Sequence, residues 1–361
     1  MQTLPGQIGP FEIERTLSRG GMGEVYVARD TRRSKAARDA SERAASNEKA
    51  SGDRRDTHQV LLKLLAPELL GDVALAERFH REGEALSRLT HPGVQRWIES
   101  GHSGRRPYVA LAYVRGTSLN EVLTQRGVLP EDDARRIVAL LADALSYCHT
   151  RGVIHRDVTP ENVVVAEDGG RPVLIDFGNA MLEGARRLTF AGLSGELGTP
   201  AYMAPEQVRG ERGDARTDIY ALGTLLYALL TGAPPFAPRE GDGAVRVMQR
   251  HLEEDPARPN TALGIGAPLL GIVARAIQRD PSQRFASAAE FRDALADPDV
   301  AVTRATILPS WPATGSGDAE LGERRRLTGE RMRYAVGAGA ALLALSLAGV
   351  LARWLRAPPA G

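Results

Sequence analysis

Apolar and polar residues alternate along the first part of the chain, on both sides of a cluster of glycines. Residues 11–30 read FEIERTLSRGGMGEVYVARD, and a period of two is typical of strands with one buried face. The pattern predicts two strands joined by a glycine-rich turn. Two further strands are predicted, one at 60–65 in QVLLKLL and one in RPYVALAYVRG at 106–116.

Apolar residues at helical spacing dominate the larger, later part of the chain. The helical period extends over 73–89, 131–150, 217–231 and 265–279, and turns with Gly and Pro separate these stretches. The sequence therefore predicts a strand-rich first part and a second part that is mostly helical.

Residues 31–59 interrupt the strand pattern, and alanine is their only aliphatic residue. A segment of this composition cannot bury enough apolar surface to form a core. We therefore predict a flexible insertion, placed just before the strand at 60–65.

The C-terminal part of the chain changes composition twice. Residues 298–333 are rich in Pro, Thr, Gly and Ser and then in Arg, which is typical of a linker. Residues 334–352 carry no charge. At about 1.5 Å per residue they would span about 28 Å, close to the bilayer core of about 30 Å. We predict a transmembrane helix here, with a short tail at 353–361, because a buried amphipathic helix would require a polar face.

The charges that flank this segment predict its orientation. Cytoplasmic flanks carry an excess of positive charge, and five arginines precede the segment while two follow it. The large N-terminal part is therefore expected in the cytoplasm, attached by a single pass to the inner (cytoplasmic) membrane of the cell. The start MQTLPGQIGPF has no basic n-region and no apolar h-region, so we predict no signal peptide. The flanking arginines are Arg324, Arg325, Arg326, Arg331 and Arg333 before the segment, and Arg353 and Arg356 after it.

Net charge and cysteine content exclude two classes of protein. The formal net charge is +1 with 25% charged residues, so we expect no nucleic acid partner. Cys148 is the only cysteine, which rules out an intramolecular disulfide framework. We expect Cys148 to be a small buried side chain near the end of a helix.

Several motifs that suit phosphoryl transfer follow one another along the chain. The glycine cluster SRGGMG at 18–23 by itself predicts no more than a hairpin. It is followed by Lys63 in a strand, by HRDVTPEN at 155–162 and by IDFGNA at 175–180. Phosphoryl transfer requires backbone N–H groups over the phosphates, a lysine that holds them, a base and metal ligands.

These residue types suggest a role for each motif. Lys63 would hold the phosphates and would be fixed by Glu82 on the following helix. Asp157 would accept the hydroxyl proton. Asp176 would bind the metal ion that neutralises developing charge, and Asn162 would supply a second metal ligand.

With these motifs in this order, the chain resembles the protein kinase family, and particularly the membrane-anchored bacterial serine/threonine kinases that share the eukaryotic kinase fold. The resemblance covers residues 8–297. It implies an α+β, two-lobed protein-kinase-like fold, with a small β-rich N-lobe and a larger helical C-lobe, here followed by the C-terminal transmembrane helix. It also implies ATP and Mg²⁺ (or Mn²⁺) as cofactors, serine or threonine of protein substrates as acceptors, autophosphorylation and membrane-tethered signalling. Whether the chain forms a homodimer stays open.

The resemblance carries over to individual positions of this sequence. The implied hinge is formed by residues 112–114. The implied catalytic residues are Asp157, Lys63, Asn162 and Thr159, and the implied metal ligands are Asn162 and Asp176. The implied nucleotide contacts are Leu17, Ser18, Gly20, Gly21, Gly23, Val25, Lys63, Glu82, Ala112 and Val114.

The resemblance continues beyond the catalytic motifs. GTPAYMAPEQ at 198–207 looks like the end of an activation segment, and Glu206 is expected to pair with Arg284. Asp218 is either a cap of its helix or a functional carboxylate. His155 is expected to pack structurally, without a role in proton transfer. Small-molecule kinases of related fold lack an activation segment. An antibiotic- or sugar-type phosphotransferase is therefore the more distant alternative.

Two further features concern regulation and substrate class. Arg156 would be available to a phosphate on the activation segment, with Thr189 and Ser194 as candidates and ordinary loop hydroxyls as the alternative. Thr199 and the 160–161 pair resemble the serine/threonine subclass rather than the tyrosine subclass.

Three positions depart from the family pattern. Ser18 replaces the first glycine, Leu61 stands where a small alanine usually faces adenine, and Thr159 replaces a lysine that contacts the transferred phosphate. They leave a pseudokinase as the main alternative, that is, a membrane-anchored nucleotide-binding or scaffold module without phosphoryl transfer. Retention of the other catalytic residues argues for an enzyme, because a scaffold requires none of them.

Overall fold

The computed structural model of the chain describes residues 6–20, 23–32, 59–70, 79, 83–177, 181–182, 200–260 and 263–296. The chain divides into two compact units, of which the first comprises 1–256 and 265–311 and the second 257–264 and 312–361. The described helices and strands and the candidate site belong to the first unit. In the second unit, the Leu263 N–H donates to the Asn260 carbonyl in a short turn.

Six antiparallel strands form the sheet of the N-lobe, in the order β1-β2-β3-β4-β6-β5. The alternation in the sequence puts Tyr26, Leu62 and Ala110 on its buried face. Gly20 pairs with Gly23 at the end of the β2–β3 hairpin, as the glycine cluster predicts. The strands are β1 (Gln7–Ile8), β2 (Phe11–Gly20), β3 (Gly23–Asp30), β4 (Gln59–Leu65), β5 (Trp97–Ser103) and β6 (Arg106–Ala112).

The C-lobe is built around α4 (Ala215–Thr231), whose side chains are buried on all sides. Asp214 caps its first turn by accepting the Arg216 N–H, and Gly232 ends it in the left-handed conformation. A Cβ at Gly223 would lie 2.6 Å from the Ala276 Cβ, so this glycine permits close helix packing. The other helices that lie wholly within the described residues are α1 (Leu119–Arg126), α2 (Glu131–His149), α3 (Pro205–Val208), α5 (Ala244–Glu253), α6 (Ala267–Ala276) and α7 (Ala288–Ala296).

Short strands flank the two loops that form the candidate site in the C-lobe. One sheet has the order β10-β9-β7, and a second pairs β11 with β8. The HRDVTPEN loop connects β8 to β9, and residues 175–177 come directly after β10. These strands are β7 (Gly116–Ser118), β8 (Val153–Ile154), β9 (Val163–Ala166), β10 (Pro172–Leu174) and β11 (Met181–Leu182).

The strands predicted at 11–30, at 60–65 and within 106–116 and the helices predicted at 131–150 and 217–231 are confirmed. The helix predicted at 73–89 lies largely outside the described residues. The helix predicted at 265–279 is shorter, because it ends at Ala276 and a turn comes after it. Cys148 is fully buried in the last turn of α2, and burial raises the pKa of its thiol to about 12. Most of the insertion at 31–59, the linker and the segment at 334–352 lie outside the described residues. No helix in the described part of the chain is both long and apolar enough to cross a membrane.

Candidate active site

The buried side chain of His155 stabilises the loop that follows β8. Its imidazole is fully buried and packs edge-on against Phe177, with ring centroids 4.5 Å apart. The Asp157 N–H donates to Nδ1 at 3.3 Å, so the ring proton lies on Nε2, which donates to the Ile175 carbonyl at 3.1 Å. The expectation that His155 packs structurally is confirmed.

Asp218 binds the backbone of the same loop, at His155 and Arg156. Its carboxylate accepts the backbone N–H groups of His155 at 2.9 Å and Arg156 at 2.7 Å, and the His149 side chain at 2.7 Å. Burial by itself would raise the pKa of Asp218, but these bonds outweigh it and lower the pKa. The alternative that Asp218 caps its helix is wrong, because Asp214 occupies the cap position.

Two non-glycine residues in the described part of the chain have a positive φ, and both flank the candidate site. They are Arg156, with φ 67°, and Asp176, with φ 59°. Such backbone conformations cost about 1–3 kcal/mol each and persist where the surrounding structure enforces them. At Arg156, Asp218 binds the N–H, and Gln207 Nε2 donates to the carbonyl at 2.8 Å.

Asp157 and Asn162 lie on opposite sides of one turn. Asn162 Nδ2 donates to the Asp157 carbonyl at 2.9 Å, and the Asn162 N–H donates to the Thr159 carbonyl at 3.1 Å. The side chain of Thr159 is buried, with 4% exposed. Thr159 thus contributes to the turn through its backbone, and this contribution does not depend on a lysine side chain.

Lys63 and Asp176 form an ion pair, with 3.0 Å between Nζ and Oδ1. Lys63 is contributed by β4, and Asp176 lies just after β10. The Ile175 N–H donates to the Asn162 carbonyl at 2.9 Å, which brings Asp176 beside the loop that carries Asp157. The structure therefore places Lys63, Asp157, Asn162 and Asp176 on segments that are bonded to one another.

The chemistry of Asn162 and Asp176 fits a divalent cation. The amide nitrogen of Asn162 is engaged by Asp157, which leaves its side-chain oxygen for a ligand role, and Asp176 offers a carboxylate. Hard oxygen donors of this kind suit Mg²⁺. The described residues contain no group of three or more His, Cys, Asp or Glu side chains that could hold a metal ion.

The glycine-rich hairpin is formed by β2 and β3 of the N-lobe sheet. Leu17 is 42% exposed, Ser18 is exposed, and Val25 pairs with both Ser18 and Lys63 across the sheet. A Cβ at Gly23 would collide with the Leu64 carbonyl oxygen, which explains the glycine there. Gly21 and Glu82 lie outside the described residues. The nucleotide contacts that the sequence predicts for this hairpin, for Lys63 and for Glu82 stay predictions.

The predicted hinge begins at the end of β6. The Ala112 N–H donates to the Arg96 carbonyl at 2.7 Å, and the Tyr113 N–H donates to the Gln59 carbonyl at 3.3 Å. Val114 is half-buried and lies beyond the last residue of the strand. Leu61 is partly buried and packs against the main apolar core.

The predicted pair of Glu206 and Arg284 is confirmed. The guanidinium binds both carboxylate oxygens, at 2.7 and 2.8 Å, and both side chains are buried. Burial by itself would raise the pKa of Glu206, but Arg284 outweighs it and lowers the pKa. Thr217 donates a further bond at 2.9 Å. The pair fixes α3, from which Gln207 reaches the Arg156 carbonyl in the HRDVTPEN loop.

Sequence reasoning missed two glutamines. Gln207 appears in the motif APEQ, but nothing in the sequence indicates that its amide binds the Arg156 carbonyl. Gln95 is a polar residue in the stretch HPGVQRW, and the structure buries it beside the predicted hinge. Thr189, Ser194 and Thr199 lie outside the described residues.

Comparisons with known proteins place this geometry in a family. The model described as "Protein kinase domain" matches residues 11–296. Serine/threonine-protein kinase PknB of Mycobacterium leprae is 34% identical over 297 residues, which are 81% of this chain and 43% of that protein. The probable serine/threonine-protein kinase PknB of Bifidobacterium longum is 32% identical, over 79% of this chain and 39% of that protein. The chain spans about two fifths of the length of these curated relatives.

A solved structure supports the same assignment. The kinase domain of PknI from Mycobacterium tuberculosis is 28% identical, with a TM-score of 0.56, and the match covers 82% of this chain and all of that one. The predicted two-lobed fold, with a β-rich N-lobe and a helical C-lobe, is thereby confirmed. The chain belongs to the protein kinase domain family and resembles the PknB-type serine/threonine kinases of bacteria.

Proposed function

We propose that this chain transfers the γ-phosphoryl group of ATP to serine or threonine side chains of proteins. The main support for the proposal is that motifs far apart in the sequence lie next to one another in the fold. The Lys63–Asp176 ion pair joins the two lobes, and the bond from Ile175 to Asn162 joins Asp176 to the catalytic loop. The residues suited to hold phosphate, bind a metal ion and accept a proton thus lie together.

The proposed reaction uses these residues in one step. The substrate hydroxyl oxygen bonds to the γ-phosphorus of ATP, while its proton passes to the Asp157 carboxylate. The bond between the γ-phosphorus and the bridging oxygen breaks, and ADP leaves with that electron pair. Lys63 positions the phosphates and offsets their charge. Mg²⁺ held by Asn162 and Asp176 would neutralise further negative charge on the phosphates.

The acceptor class is supported by the relatives and by the sequence. Both PknB relatives are named serine/threonine-protein kinases, and Thr199 with the 160–161 pair resembles that subclass. Autophosphorylation belongs to the proposal, with Thr189 and Ser194 as acceptors. Arg156 would bind the resulting phosphate, since an arginine beside a catalytic aspartate can order a phosphorylated segment.

The three departures from the family pattern leave the supports of the site intact. Thr159 acts on Asn162 through its carbonyl, so the missing lysine does not disturb that turn. Leu61 packs against the main apolar core, and Ser18 pairs with Val25 across the hairpin. These features favour an enzyme over a pseudokinase.

Attachment to the inner membrane is a separate part of the proposal and is supported by sequence alone. Residues 334–352 are uncharged and long enough to span a bilayer, and arginines are more frequent before them than after them. In this arrangement the catalytic domain faces the cytoplasm and its protein substrates.

The test of the proposed function is phosphate transfer by the full-length chain. The chain, purified in detergent, is incubated with γ-labelled ATP, Mg²⁺ and a basic protein, and the labelled amino acids are identified. We expect phosphoserine or phosphothreonine in the basic protein and in the chain itself. Asp176→Asn should lose this label, because the metal site loses its carboxylate. Absence of label from the wild type, or equal label from the variant, would overturn the proposal.

A further inference from the structure

Gln95 is a buried polar residue at the end of the predicted hinge. Its side chain is 3% exposed, and Nε2 donates to the Ala112 carbonyl at 3.0 Å. A carbonyl only accepts hydrogen bonds, so the amide must turn its nitrogen toward Ala112, which fixes the position of Oε1. Among the described residues, Oε1 has no hydrogen-bond partner.

A buried acceptor without a partner requires an explanation. Leaving such a group unsatisfied is unfavourable, and each instance in a folded protein calls for a reason. Methionine or leucine would fill a similar volume at this position without burying an amide. An apolar side chain could not donate to the Ala112 carbonyl, so this hydrogen bond is what distinguishes Gln95 from methionine or leucine.

The backbone of Gln95 ties the same residue to the metal-binding segment. Its N–H donates to the Leu174 carbonyl at 2.9 Å, and the Leu174 N–H donates to the Gly93 carbonyl at 2.9 Å. Leu174 is the last residue of β10, two positions before Asp176. Gln95 therefore lies between the hinge and the segment that carries Asp176.

The bond from Gln95 leaves Ala112 with both backbone polar groups already paired. The N–H donates to the Arg96 carbonyl, and the carbonyl accepts from Gln95. A carbonyl oxygen has two lone pairs, so a nucleotide can still bind there. The amino group of the base must then share the Ala112 carbonyl with Gln95. The additional hydrogen bond therefore contributes less to the free energy of nucleotide binding.

We propose that Gln95 determines how strongly the site selects adenine, by occupying the Ala112 carbonyl. The resemblance implies that Ala112 contacts the base, and the 6-amino group is the N–H donor that adenine could offer to this carbonyl. The inference rests on the proposed function, because it concerns the ATP site. Selection among bases is strong where a site has an acceptor committed to one substrate group. Here the acceptor is partly satisfied from within the protein, so the 6-amino group adds little to binding.

Calorimetric titration tests the inference on the full-length chain with two ligands, ATP and purine riboside triphosphate, which lacks the 6-amino group. All variants carry Asp157→Asn, so that transfer does not consume ATP. With Gln95 present, the two dissociation constants should differ by less than about twofold, well below the effect of a full hydrogen bond. This comparison requires no substitution at Gln95, and a larger preference for ATP would overturn the inference.

Substitution of Gln95 should create the preference. Gln95→Met and Gln95→Leu free the carbonyl, so the dissociation constant for ATP should fall by about 2- to 12-fold, the factor that one net hydrogen bond contributes. The dissociation constant for purine riboside triphosphate should stay unchanged. Gln278→Met is the matched control, because Gln278 also donates to a backbone carbonyl, that of Ala274 at 2.8 Å, within the C-lobe.

The remaining outcomes separate this inference from the proposed function. A parallel shift for both nucleotides, or no shift for either, overturns the inference and leaves the proposed function standing. If binding follows the expected pattern but the chain with Asp157 restored transfers no phosphate, the proposed function falls and the inference stands. If neither nucleotide binds to any variant, both fall.

Discussion

The ammonium group of Lys63 lies 3.0 Å from Asp176 Oδ1, although 113 positions separate the two residues in the chain. Lys63 is 17% exposed and Asp176 is 48% exposed. The carboxylate of Asp176 is thus about half exposed, whereas Lys63 is mostly covered by protein.

Lys63→Met should lower phosphoryl transfer by about 10²–10³-fold or more, the usual effect of removing one group that stabilises charge in a transition state. A neutral thioether can neither pair with Asp176 nor offset the charge of the phosphates. Initial rates with labelled ATP measure the effect. Lys49→Met is the control, because it removes the same charge from the polar segment at 31–59. Activity of Lys63→Met within tenfold of the wild type would contradict the prediction.

Asp157→Asn should lower kcat by about 10²–10⁴-fold, the range typical of a general base. The fold should be unaffected, because Asp157 is tethered by its backbone groups, to His155 and to Asn162. Melting temperature and turnover are therefore measured on the same preparation. Asp168→Asn, in an exposed turn, should leave both unchanged. Turnover by Asp157→Asn close to that of the wild type would exclude a base role.

Asp218→Asn should destabilise the fold and also slow the reaction. An asparagine offers one acceptor oxygen in place of two, so one of the N–H groups of His155 and Arg156 loses its partner, at about 1–3 kcal/mol. Arg156 then loses part of the support for its positive φ. Displacement of the catalytic loop by about 1 Å would reduce turnover by about 10²-fold.

Urea denaturation and kcat measure the two effects of Asp218→Asn. The matched control is Asp214→Asn, on the same helix, because asparagine is as good a cap as aspartate. The control should change neither quantity. A variant at Asp218 that loses stability but keeps the turnover of the wild type would show that the bonds do not position the loop.

Glu206→Gln should lower the free energy of unfolding by about 3–5 kcal/mol, because it leaves the fully buried Arg284 without a counter-charge. The effect should depend on pH. The pKa of Glu206 is below its ordinary value of 4.5, so the stabilisation is complete above 4.5 and is lost as pH falls through the lower pKa of the folded state. The difference between variant and wild type should therefore shrink in acid.

Urea denaturation at neutral pH and at several values below 4.5 provides this comparison. Glu84→Gln is the control, since Glu84 forms an exposed ion pair with Arg88, at 46% and 51% exposure. Exposed pairs contribute little, so this variant should match the wild type throughout. A difference at Glu206 that stays constant with pH would show that the pair does not depend on ionisation of the carboxyl.

Full-length chain should remain in the membrane fraction after high-salt and alkaline washing, because residues 334–352 would be buried in hydrocarbon rather than held by charge. Centrifugation followed by immunoblotting measures this. As a control, replacing the five arginines before the segment with glutamine should leave retention unchanged, although it removes charge that could bind anionic lipid. Release of the wild-type chain by salt alone would contradict the spanning assignment.

The sequence by itself determined a strand-rich first part, a mostly helical second part and the main motifs of the candidate site. It did not predict β1, β5, the short strands β7 to β11 or the helices α1, α3, α5 and α7. Alternation around the glycine cluster predicted β2 and β3, and the helical period predicted α2 and α4, because these patterns arise from neighbours within one turn or one strand. The motifs with Lys63, Asp157 and Asp176 were equally visible, because phosphoryl transfer restricts which side chains can stand there.

Only the tertiary structure decided how these residues are held. Asp218 binds a loop more than sixty positions earlier in the chain, Gln207 reaches Arg156 across 51 positions, and Gln95 binds the end of β6 rather than a neighbour in its own segment. A polar residue in a sequence shows what it can donate or accept, but not which partner the fold brings to it. That choice depends on how the helices and sheets pack, because a hydrogen bond requires its two groups to lie within about 3 Å.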